Sequence, residues 1–148
     1  MRLVYLRKDD PDCSDLLPIA FERIRSFCSE VKWDIDQEML VSSIAKDFVS
    51  ASPRYMIALA INNNLVIGHL LGTFDTWYKK KYLTVLQYKW SDFVPRETMR
   101  ELWDGLIKWA KDNGATDLQA MVPNAEHERR LKIFYQFETT MTVMRRPL

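Results

Sequence analysis

The chain has 148 residues, 47% of them hydrophobic and 28% charged, which fits one soluble globular domain with a real core. Its formal net charge of +1 argues against nucleic-acid binding as a whole-domain property. No apolar run approaches the roughly 20 residues needed to cross a bilayer, and residues 1–7 lack a signal peptide's apolar core, so a cytoplasmic location is expected.

Leu3 to Arg7 reads as a first strand, ended by the turn residues Asp9, Asp10 and Pro11. Ser14 is placed to cap a helix running to about Ser29, with Leu16, Leu17, Ala20, Ile24, Phe27 and Cys28 near one face. Pro18 falls in or near its first turn, where a missing amide hydrogen costs little. Asp34 and Gln37 have capping-box spacing and open a second helix to about Ser50, burying Leu40, Val41, Ile44 and Phe48.

Tyr55–Ile61 and Leu65–Phe74 are apolar, β-prone runs around Asn62, Asn63 and Asn64, which tolerate left-handed backbone angles; a hairpin is predicted. A loop from Asp75 to Lys81 leads to a third strand, Tyr82–Trp90. A helix follows from Thr98 to Asn113, with Leu102, Trp103, Leu106, Trp109 and Ala110 at helical spacing and Gly114 as the stop. Then come a strand at Leu118–Val122, a helix from Ala125 to about Phe134, and a last strand near Thr139–Met144. The order β-α-α-β-β-β-α-β-α-β defines a mixed α/β domain over residues 1–148, a largely antiparallel sheet flanked by helices. It contains no G-x-G-x-x-G dinucleotide fingerprint.

This order, together with Ala110 and Gly114 in an "A-x-x-x-G" pattern and Phe137-Glu138 before the last strand, resembles the GNAT superfamily of N-acetyltransferases. Gln136 stands where that family usually has the glycine of "G-F-E". The resemblance implies acetyl-CoA or another acyl-CoA as donor and an amine, on a small molecule or a protein, as acceptor. It places the pyrophosphate of coenzyme A at the start of the central helix, on Arg96, Glu97, Thr98, Met99 and Arg100, and a further cofactor contact on Asn124.

The family's "R/Q-x-x-G-x-G/A" puts small residues where Glu97 and Met99 stand and a basic residue where Val94 stands. Glycine matters there because backbone amides at a helix start must approach the anion closely. Glu97 brings charge and Met99 bulk, while Thr98 and Glu101 have capping-box spacing that would occupy the same amides. Arg96 moves positive charge two residues along.

Direct acyl transfer needs a base for the amine and an acid for the thiolate. The resemblance makes Asp92 the nearest candidate base and Tyr135 the nearest candidate acid, although Lys132 occupies the family's usual tyrosine position. The alternative is a non-catalytic domain that keeps this fold as a structural or interaction module, since divergent chains of this size are similar to small phage-encoded proteins, some of them virion components. Trp77, Tyr78, Lys79, Lys80 and Lys81 would then offer a surface to a protein partner.

His69 and His127 are too far apart in sequence to form a triad or metal cluster. Cys13 and Cys28 are too few for a zinc site or redox pair and read as free thiols, so no metal is expected.

Overall fold

The computed structural model describes residues 1–77, 79–91, 94–140 and 146, with only the backbone at Trp77. The elements are β1 (Arg2–Tyr5), α1 (Cys13–Glu30), α2 (Gln37–Phe48), β2 (Tyr55–Asn62), β3 (Leu65–Trp77), β4 (Lys80–Trp90), α3 (Arg96–Asp112), β5 (Asp117–Ala120) and α4 (Ala125–Tyr135). The five strands form one sheet in sequence order, antiparallel except for the parallel β4–β5 pair. The mixed α/β order predicted from sequence holds from β1 to α4. Most of the predicted last strand, residues 141–144, lies outside the described residues, and Thr139 and Thr140 are not in a strand.

The two faces of the sheet bury separate cores. On one, Ile24 of α1 and Ile44 of α2 pack against Ile57, Leu59 and Leu71. On the other, Leu102, Trp103 and Leu106 of α3 pack against Ala58, Leu70, Leu83 and Val85. This division follows from strand alternation: neighbours such as Leu70 and Leu71 point to opposite faces, and both faces are covered by an apolar helix stripe.

Turn chemistry explains the connections. Asn63 and Asn64 have φ of 48° and 63°, the paired positive values of a two-residue type I′ hairpin. Gly114, at φ 83°, follows Asn113 and stops α3 as expected. Gln136 takes φ 58° after α4, so the residue in the family's glycine position still adopts a left-handed conformation.

Several local expectations are corrected. The Asp75–Lys81 loop is instead β3 and β4 continuing as a longer hairpin arm, with Thr76 paired to Lys81 and Trp77 to Lys80. Cross-strand pairing extends the strands there despite the lysine run. Helix α2 is capped by Asp36, whose carboxylate accepts from Met39 N at 3.0 Å, not by an Asp34–Gln37 box. Helix α1 begins after Asp12, which makes no side-chain cap, so Ser14 is already helical and Pro18 lies deeper than the first turn. Pro18 therefore leaves one interior carbonyl without its usual partner.

Candidate functional site: a sheet that splits at a bulge

The strand β4 carries the decisive irregularity. Leu71 pairs with Gln87 but Gly72 pairs with Val85, which leaves Leu86 without a partner across the ladder. A bulge of this kind adds a residue to one strand and bends it. On its other side β4 pairs with β5 only as far as Val85 and Ala120, and one further bond, Met121 N to Val85 O at 2.9 Å, closes the ladder. Beyond it the chain leaves β4 toward α4, while β4 continues to Trp90.

Beside the split, on the α1 side of the sheet, is a cavity of about 250 Å³. Leu86 supplies its wall from β4, and Met121, Val122 and Pro123 supply the wall beyond β5. Phe27, Val31, Lys32, Trp33 and Asp34, from the end of α1 and the turn after it, complete the lining. That turn is tightly built: Val31 N bonds to Phe27 O at 3.0 Å and Trp33 N to Cys28 O at 2.9 Å, the six-to-one bond of a Schellman motif. Its left-handed position is held by Lys32, at φ 50°, where glycine would be unstrained. The turn carries Trp33 to the cavity wall.

Deeper under α1 lies a buried polar group. His69, 1% exposed, has Nε2 3.1 Å from Gln87 Oε1, and Gln87 Nε2 donates to Cys28 Sγ at 3.2 Å and Ile24 O at 3.4 Å. Burial lowers the His69 pKa to about 4, so the ring is neutral at neutral pH. Because Nε2 must donate to the Gln87 carbonyl oxygen, Nδ1 is the lone-pair nitrogen, and it has no partner among the described residues. This group acts as a packed core element under Phe27, whose ring meets His69 edge-on at 6.0 Å.

The two helices that follow β4 and β5 begin differently. Helix α3 starts at Arg96, two residues earlier than expected, after Pro95 as N-cap. Pro95 makes no side-chain cap, so the Thr98–Glu101 box does not close the end; Thr98 already lies within the first turn. The first in-helix bond is Met99 N to Pro95 O at 3.1 Å, and it leaves the amides of residues 96 to 98 pointing out of the helix end. Arg96, Glu97 and Arg100 are exposed, while Thr98 and Met99 are half-buried. Helix α4, by contrast, is capped by Asn124, whose Oδ1 accepts from His127 N at 3.0 Å.

Asn124 Oδ1 also lies 2.9 Å from His127 Nδ1. An amide oxygen only accepts, so Nδ1 carries the proton and Nε2 is left as the basic nitrogen. Burial lowers the His127 pKa, which keeps the ring neutral. The ring stands edge-on to Tyr88 at 5.4 Å, and the Tyr88 hydroxyl donates to His127 O at 3.4 Å. Burial pushes the Tyr88 phenol up to about 12.

The residues singled out from sequence are distributed unevenly. Arg96 to Arg100 do form the first turns of α3, and Arg96 sits over the Phe134 ring at 4.7 Å. Tyr135 packs on Trp103 at 4.7 Å, on the α3 side of the sheet, and burial raises its pKa. None of these residues lines the cavity. Asp92 and Tyr78 lie outside the described residues. Lys81 is engaged in the fold, donating to Asn113 O at 2.6 Å at the end of α3 and lying 4.3 Å over the Phe74 ring. Lys79 and Lys80 remain exposed.

The cavity residues were missed from sequence, although one signal was legible. Leu83 and Val85 set one parity in β4, and Tyr88 and Trp90 set the other, yet all four pack toward α3. A parity switch within one strand requires an extra residue between, which is Leu86. Among the described residues there is no cluster of His, Cys, Asp and Glu that would hold a metal, and no helix long and apolar enough to cross a membrane.

This mixed sheet, whose β4 and β5 stop pairing just before the Leu86 bulge, has the fold of the GNAT acetyltransferases. The relevant solved structures span nearly the whole chain. A "predicted acetyltransferase" with acetyl-CoA from Clostridium acetobutylicum superposes with a TM-score of 0.70 at 16% identity, over 99% of this chain and 96% of that one. The aminoglycoside N-acetyltransferase AAC(6')-Iy in complex with CoA gives 0.69 at 12% identity, over 99% and 98%. An aminoglycoside acetyltransferase from an uncultured soil metagenomic sample, in complex with sisomicin, gives 0.67 at 14% identity, over 99% and 95%. At these identities the likeness establishes the fold. No protein-family model matches the sequence, and no curated protein matches it.

Proposed function

We propose that the chain is an acyl-CoA-dependent N-acyltransferase that transfers an acyl group to a small-molecule amine. The observation that carries the reading is the split between β4 and β5 at Leu86, with the uncapped α3 amides close to it in the chain. Those amides and the helix dipole suit a pyrophosphate, and Arg96 and Arg100 add positive charge on the same turns. Two structural neighbours of this fold were solved with CoA or acetyl-CoA, which supports an acyl-CoA donor here.

In this reading the acceptor amine occupies the cavity and the thioester reaches it through the split. The amine nitrogen forms a bond to the acyl carbon, the carbon–sulfur bond breaks, and its electron pair leaves with the sulfur. The amine must lose a proton, and His127, a neutral ring oriented by Asn124 that lies outside the cavity lining against Tyr88, is the candidate acceptor we assign. Asp92 keeps its place as a candidate base, and Tyr135 as a candidate acid on the α3 side.

The competing reading, a non-catalytic module, is favoured by Glu97, whose carboxylate sits on the turn that would hold the pyrophosphate. Calorimetry with acetyl-CoA and coenzyme A separates the two. Micromolar to sub-millimolar binding, weakened by added salt, is expected; absence of heat at millimolar ligand overturns the enzyme reading. His127→Gln is expected to lower kcat while acetyl-CoA affinity is retained.

A further inference from the structure

We infer that the cavity beside Leu86 accepts a small, singly charged amine on an apolar body, and that it excludes polycations such as aminoglycosides. The inference rests on the acyltransferase reading for the role of acceptor, but the ligand class is argued from the lining alone. Phe27, Val31, Leu86, Met121 and Val122 are apolar, and Trp33 adds a half-buried indole. Among the described residues, Lys32 and Asp34 are the ionisable groups of the lining, one of each sign. A polycationic amino sugar needs several carboxylates or other acceptors to replace its lost hydration, and the described lining carries a single carboxylate.

Size leads to the same class. About 250 Å³ is below the roughly 300–1,000 Å³ of sites that enclose drug-sized ligands, so one ring and a short arm fill it. The wall's backbone is also prepared in advance: the Schellman turn at Lys32 fixes the main chain at Trp33, so little backbone entropy is lost on binding. Thioether and aromatic groups together, Met121 with Phe27 and Trp33, form an adaptable apolar surface for an aryl or branched alkyl body.

The test is a ligand-observed magnetic resonance titration with 2-phenylethylamine and with sisomicin, run alongside calorimetry with acetyl-CoA and octanoyl-CoA. The amine is expected to bind at least about tenfold more tightly than sisomicin, and Trp33→Ala to weaken it by about tenfold. Val122→Arg, a change at an exposed rim position that adds a repelling cation, is expected to weaken the amine similarly and serves if Trp33→Ala does not fold. Acetyl-CoA binding with sisomicin preferred, or with no amine binding, overturns this inference and leaves the acyltransferase reading standing. Amine binding without any acetyl-CoA binding overturns the acceptor role and the enzyme reading together. Octanoyl-CoA binding more tightly than acetyl-CoA, with that gain lost in Trp33→Ala, also overturns it, by assigning the cavity to the acyl chain.

Discussion

The frame built from β1, β2, β3 and α1 differs from the region around the split in how each treats its polar and apolar groups. In the frame, side-chain and backbone hydrogen bonds tie neighbouring elements together. Asp47 Oδ2 takes the amides of Arg54 and Tyr55 at 2.7 and 2.8 Å and ties the entry of β2 to α2, while Arg23 reaches Val66 O at 3.1 Å. Past the split, Met121 and Val122 are exposed, and α3 opens with uncapped amides. The frame keeps a few buried polar atoms unpaired among the described residues, His69 Nδ1 one of them, but they are sealed inside it. Helix α3, by contrast, leaves its first amides uncapped at an exposed helix end. Exposed donors of that kind are where a ligand finds partners.

The largest expected effect breaks the frame with acid. Burial holds the His69 pKa at about 4, below the ordinary 6.5, so the unfolded chain binds the proton more tightly than the fold does. His69 therefore contributes its full share above pH 6.5, and stability falls as the pH drops from 6.5 toward 4. A shift of this size corresponds to about 3 kcal/mol. Urea melts at pH 7 and pH 4.5 on the wild type and on His69→Gln check it; equal losses in both would remove His69 as the cause.

Next is Gly68, which faces Trp90 across the β3–β4 ladder. A Cβ built there would lie 2.1 Å from Trp90 Cε3, so Gly68→Ala must displace a large ring. A loss of about 1–3 kcal/mol in thermal or urea unfolding is expected. Gly114→Ala is the control, since its added Cβ meets nothing within 4 Å and only the φ of 83° resists it; a smaller loss is expected there.

The split should respond in ligand binding more than in stability. Glu97→Gly with Met99→Gly removes the charge and bulk from the first turn of α3. It is expected to raise coenzyme A affinity about tenfold, equivalent to about 1.4 kcal/mol, at some cost in helix propensity. Unchanged affinity by calorimetry would detach this turn from the cofactor.

The smallest effect compares the two helix starts directly. Pro95→Asp supplies α3 with the cap it lacks and should add about 1 kcal/mol of stability while weakening coenzyme A binding, because a carboxylate then competes for the same amides. Asn124→Ala should cost α4 about 1 kcal/mol, as its cap to His127 N is lost. Opposite signs in paired melting curves would establish that the two ends are built for different purposes.

Much of the fold was legible because it depends on local periodicity. Leu102, Trp103, Leu106 and Ala110 recur at helical spacing and are buried in α3, and the Asn63–Asn64 turn announced its hairpin. The helix starts were less so. Capping boxes at Asp34 and Thr98 were read from spacing, but Asp36 and Pro95 occupy the N-cap positions, since the direction from which the chain enters a helix is set by what the preceding loop packs against. The site was least legible, because its walls come from residues far apart in the chain, such as Phe27, Leu86 and Val122.

The sequence by itself determined the order of elements, the two apolar faces and the glycine stop at Gly114, each a matter of neighbours within a few residues. Tertiary structure alone decided that β4 and β5 part at Leu86, that the turn at Lys32 sets Trp33 against the gap, and that α3 opens uncapped while α4 is closed. The physical reason is that a gap is defined by which strands stop pairing, and pairing joins segments that no local pattern connects.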